Sequence, residues 1–185
     1  MIARLLLPLL LLVASPLLAF DHQRWDRLLA EHVQWQRSGV ATGVDYPGFR
    51  ADRAALDQYL QALSLVSGAD FQRWSQDEQL AFLINAYNAF TIDLILRQDS
   101  LPDSIRDIGS FFSGPWDQRF FTLLGETRTL DEVEHEMIRG NPALMDPRIH
   151  FSVNCASVGC PALRPEAYRA ETLEQQLADS TRRFL

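Results

Sequence analysis

Cysteine is scarce in this chain: two among 185 residues. That is too few for a disulfide framework or an all-cysteine zinc site. A basic excess is also missing. Seventeen basic residues stand against 24 acidic ones, a net charge of −7. Domains that grip nucleic acid electrostatically show the opposite balance, so no nucleic-acid partner is expected. There is no internal repeat, no heptad run and no low-complexity tract, which excludes solenoids, coiled coils and collagen. What remains is 47% hydrophobic and 22% charged, an ordinary globular composition.

Residues 1–19 differ from the rest. Arg4 is their one charge, Leu5 to Leu18 is nearly all apolar, and Ala19 precedes the polar run Asp21-His22-Gln23-Arg24. A basic end, a short apolar stretch and a small exit residue predict a secretory signal peptide cleaved after Ala19. The apolar run is shorter than the ~20 residues that span a bilayer. The mature chain is therefore expected in the periplasm or outside the cell, with no stable transmembrane segment and with its cysteines in an oxidising compartment.

The mature chain reads as mostly helical. Apolar spacing predicts helices over 21–38 and 51–65, with a loop over 39–49 and a short turn near Phe71 and Trp74. Ser75-Gln76-Asp77-Glu78 has the form of a capping box and opens a helix over 76–97, apolar around most of its circumference and so central. A hairpin is expected around Gly125, within an aromatic stretch running from Phe111 to Phe121 that fits either core or ligand groove. A second capping box, Thr129 to Glu132, starts a helix ending near Gly140. Ile149 to Val153 alternates and reads as a strand, and residues 166–185 read as helix. The expected fold class is α+β: one mostly helical domain packed on a small β-sheet or hairpin.

Reactive residue types concentrate in His150-Phe-Ser-Val-Asn154-Cys155-Ala-Ser157-Val-Gly-Cys160-Pro161. Four readings compete. Cys155 could be a nucleophile, with His135 or His150 as base and Asn85, Asn88, Glu134 or Glu78 orienting that base. Cys155 and Cys160 could form a structural disulfide. His150, Cys155, Cys160 and His135 could bind zinc, although the spacing is not a zinc signature. The thiols could be small buried hydrophobes. Asn85 and Asn88 share one face of an apolar helix, so they need partners; fixing the backbone of a neighbouring loop would supply them. His135 lies off the Leu130–Val133–Met137 stripe, as a surface histidine would.

Three segments in order resemble a bacterial family of unknown function, numbered 547: Leu80 to Ile92 with Asn85-Ala-Tyr-Asn88, Leu130 to Arg139 with Glu134-His135, and Asp146 to Leu163 with His150 and both cysteines. The resemblance covers about 70–185, with 20–69 as a helical lead-in. It marks Asn85, Asn88, Glu134, His135, Arg139, His150, Cys155, Ser157, Cys160 and Pro161, and it brings no established reaction. In such chains the second cysteine position can hold serine, which implies a distinct role for Cys155. Related chains continue past the helix that ends here at Leu185, so a fragment is expected. The functional expectation is a cysteine-dependent hydrolase or acyl transferase acting on an amide or ester in the cell envelope. Its catalytic set would be Cys155, His135, His150, Asn88, Asn85 and Glu134. No cofactor is expected, with zinc as the alternative. The rival is a non-catalytic envelope module with a Cys155–Cys160 staple that binds a peptide, protein or glycan.

Overall fold

The computed structural model describes residues 19–109, 113–157 and 159–185. The expected signal segment up to Leu18, and Phe111-Phe112 of the aromatic stretch, lie outside the described residues. The fold is built around α5, Gln76–Leu96. Its capping box forms as expected: the Ser75 hydroxyl accepts from the Glu78 N–H, and the Glu78 carboxylate accepts from the Ser75 N–H at 2.7 Å. Every residue from Gln79 to Leu96 is buried. The helix is long and apolar enough to cross a membrane, but here protein surrounds it. Its one acid in the interior, Asp93, is fully buried; it accepts from Arg53 Nη2 at 2.6 Å and Arg97 Nε at 2.8 Å, which offsets the cost of desolvating its charge.

The lead-in packs on this helix. α1 (Gln23–His32) and α3 (Arg53–Ser64) bury Trp25, Leu28, Leu29, Leu56, Tyr59 and Leu63. Trp25 stacks on Tyr59 with centroids 5.6 Å apart. These side chains join those of α5 in one hydrophobic core, so 20–69 and the remainder fold together. The helix expected over 21–38 ends early, at His32. Val33–Trp35 forms β1 and pairs antiparallel with β2, Thr42–Val44, inside the expected loop. β-Branched and aromatic side chains favour the extended form there. The short helices α2 (Tyr46–Ala51) and α4 (Gly68–Phe71) complete the lead-in.

The predicted hairpin is present: β3 (Phe121–Leu123) pairs with β4 (Glu126–Arg128). Leu124 and Gly125 both have positive φ, 53° and 85°, as a tight two-residue turn requires. The fold is therefore α+β, with two separate two-stranded hairpins beside the helices. One expected strand is absent: 149–153 is not extended, and Pro147–Phe151 is a 3₁₀-helix. Asp146 caps it by accepting from the Arg148 N–H at 2.8 Å, and Pro147 occupies its first turn, where proline is at home. A last helix, α6 (Leu173–Phe184), packs on this 3₁₀ turn.

Candidate functional site

The second capping box forms. Glu132 N–H donates to Thr129 Oγ1 at 3.0 Å, and Thr129 N–H donates to the Glu132 carboxylate at 3.0 Å. The helix it opens is not α-wound: Glu132–Ile138 is a π-helix. Arg139 N–H donates to the Glu134 carbonyl, five residues back, at 3.0 Å. π-Winding is rare, occurs often at functional sites, and changes which side chains share a face. Here it carries Glu134 and His135, with Arg139 as the residue that caps its end.

These residues meet the 3₁₀ turn. The His150 Nδ1 lies 3.8 Å from the Glu134 carboxylate, and Arg139 Nη1 lies 4.0 Å from the same oxygen. Arg139 Nη1 also donates to His135 Nδ1 at 3.0 Å. A guanidinium cannot accept, so His135 accepts through Nδ1 and carries its proton on Nε2. His135, Arg139 and His150 border a cleft of about 570 Å³, whose remaining wall includes Met145, Pro147, Ile149 and Asp146, the last with its carboxylate engaged by Arg148. Met145 is 62% exposed. The cleft thus joins a polar end rich in N–H donors to an apolar wall.

α5 supports this end from below. Burial raises the pKa of the Tyr87 hydroxyl well above its usual range, and the adjacent Glu134 and Asp131 raise it further. The Tyr87 hydroxyl is therefore neutral and lies beside the Glu134 carboxylate. Asp131 is also pushed up, first by burial and then by its contact with the Asp117 carboxyl. Tyr87 was not legible as a participant; the one hint was a buried tyrosine, whose hydroxyl needs a partner.

The asparagines of α5 act on backbone, as their burial required. Asn88 Nδ2 donates to the Ser152 carbonyl at 3.0 Å, and its Oδ1 accepts from the Asn154 N–H at 2.8 Å. Asn154 continues the relay, donating to the Pro161 carbonyl at 2.6 Å and accepting from the Ala156 N–H at 3.0 Å. Asn88 therefore fixes the entrance to the cysteine loop. Asn85 grips a different segment: it donates to the Tyr168 carbonyl at 2.8 Å and accepts from the Tyr168 N–H at 3.0 Å.

Cys155 and Cys160 are joined as a disulfide with Cα atoms 6.0 Å apart. In this disulfide form Cys155 holds no thiolate and neither sulfur is free to ligate zinc. The two histidines also line a cleft different from the cavity bordered by Cys160, Ser157, Tyr46 and Thr42. The structure unites Glu134, His135 and His150, and links Asn88 to the cysteine loop; it does not place Cys155 in the histidine cleft. Glu78 is occupied in its capping box. Replacing both cysteines with serine should cost about 2 kcal/mol, the loop-closure entropy of so short a ring, with the fold retained. Urea denaturation of the double variant and of the oxidised parent measures it.

The sequence model of a family described as a protein of unknown function, DUF547, matches residues 71–185. No curated protein and no solved structure matches the chain.

Proposed function

The chain belongs to the DUF547 family, and on that premise we propose that it is a non-catalytic binding module of the cell envelope. Its ligand is the carboxylate of a peptide bearing an apolar neighbouring side chain. One observation carries the reading: the two histidines converge with Arg139 on a cleft whose lining, among the described residues, holds no hydroxyl or thiol nucleophile. The Cys155–Cys160 bond supports it by removing the thiolate that a cysteine hydrolase needs. Arg139 and the His135 Nε2–H offer donors for a planar carboxylate, and charge-assisted pairs of this kind are the strong ones. Met145, Pro147 and Ile149 accept the apolar part. Glu134 lies between Arg139 and His150, 4.0 and 3.8 Å from their nitrogens. The envelope location rests on the leader-like segment 1–19 and on the oxidised cysteine pair.

The test is calorimetric titration with N-acetyl-Ala-Leu and with its C-terminal amide. The free acid should bind and the amide should bind at least tenfold more weakly, a difference of about 1.4 kcal/mol. Arg139→Ala should erase the preference. Equal binding of both compounds, or of the parent and Arg139→Ala, contradicts the proposal. Hydrolysis of the amide by the oxidised protein contradicts its non-catalytic part.

A further inference from the structure

A second cluster lies outside the residues matched by the family, where α1 ends. Glu31, His32 and Asp52 each offer one ligand atom, and these atoms lie within 4.8 Å of one another. His32 is 7% exposed; Asp52 is half-exposed and Glu31 faces solvent. We propose that these three residues bind one divalent transition ion, of which zinc is the representative, at the junction of α1 with α2 and α3.

Three features support the site. Asp52 stands where α2 ends and α3 begins, yet its side chain caps neither helix; instead its Oδ2 lies 2.8 Å from His32 Nε2. A residue type that usually caps has been turned toward the imidazole. Next, the charge is unfavourable without a cation. Glu31 and Asp52 gather at the C-terminal end of α1, the negative end of the helix dipole, where basic residues are normally stabilising. Among the described residues no arginine is paired with Glu31, Asp45 or Asp52, and Asp52 instead contacts the His32 imidazole. Finally, the imidazole is held in one orientation. The Asp45 N–H donates to the His32 carbonyl at 2.8 Å, the Phe49 ring lies 4.9 Å from the imidazole, and Gly48 approaches so closely that a Cβ there would stand 2.5 Å from His32 Nδ1. A ligand ring already fixed by its surroundings does not have to be ordered when the ion binds.

One imidazole and two carboxylates suit zinc better than calcium or magnesium, which take all-oxygen sets. Ligand atoms sit about 2.0–2.2 Å from zinc, so the exposed Glu31 side chain has to swing inward. The fourth position would face solvent.

The experiment is calorimetric titration of the tag-free oxidised protein with zinc chloride, with melting temperature as a second readout. One zinc per chain is expected, with a higher melting temperature. Glu31→Gln and Asp52→Asn keep shape and should each weaken binding at least tenfold. His135→Asn with His150→Asn should leave zinc binding unchanged. No binding, equal binding by Glu31→Gln and Asp52→Asn, or loss confined to the His135/His150 variant would overturn the proposal.

Discussion

Between pH 7 and pH 5 the protein is expected to lose about 2 kcal/mol of stability through His22 alone. His22 is 8% exposed and lies in an aromatic nest: its Nδ1 and the Tyr59 hydroxyl share a hydrogen bond at 2.7 Å, and the Phe20 ring is 4.9 Å away. Burial, helped by the positive charge of Arg169, lowers its pKa from 6.5 to about 3 against the opposing pull of Asp21 and Asp26. The folded state therefore refuses a proton that the unfolded chain accepts below pH 6.5. The stabilisation is fully present above pH 6.5 and is lost progressively as pH falls toward 3. Each pH unit in that window is worth about 1.4 kcal/mol. Urea denaturation at pH 7 and pH 5 reads the loss directly, and His22→Gln should flatten the slope. An unchanged slope in that variant would show that His22 is not the group responsible.

The second large effect is at Asn88. Asn88→Ala should destabilise the fold by about 2–4 kcal/mol, because it strands the Ser152 carbonyl and the Asn154 N–H. Both lie where the 3₁₀ turn hands over to the disulfide loop, so the damage should be local as well as global. Hydrogen exchange should accelerate at Asn154 and Ala156, and the histidine cleft, which shares Pro147–Phe151, should bind its peptide more weakly. Asn85→Ala should be comparably destabilising through Tyr168 but should leave the cysteine loop protected. A loss below 1 kcal/mol in Asn88→Ala would mean that water replaces the amide without cost.

The parts legible in the sequence are those governed by local chemistry. Ser75 with Glu78 and Thr129 with Glu132 are reciprocal side-chain caps, readable from four residues each. Gly125 marked a turn needing positive φ. The two asparagines in an apolar helix announced that they must hold backbone, though not which backbone. The illegible parts depend on packing between distant segments. β1 and β2 are three residues each, so their β-branched and aromatic side chains leave too short a pattern to read until the two strands pair. The π-winding of Glu132–Ile138 leaves no periodic trace in so short a stretch, yet it decides that Glu134 turns toward Tyr87 and His150. The 3₁₀ turn at Pro147–Phe151 was legible after all: Asp146-Pro147 is a helix-start signal that the alternation of Ile149 to Val153 outweighed. With that segment misread, His150 could not be placed opposite Glu134.

The central claim is that ligand binding belongs to the histidine cleft and needs no thiol. Its most direct test follows the imidazole resonances of His135 and His150 during titration with N-acetyl-Ala-Leu, in the oxidised protein and in the Cys155→Ser/Cys160→Ser variant. The account predicts saturable shifts of both histidines at matching affinity in the two proteins, with the peptide recovered intact. Shifts that vanish in the serine variant, or a peptide consumed once the disulfide is reduced, would contradict it and return Cys155 to the centre of the chemistry.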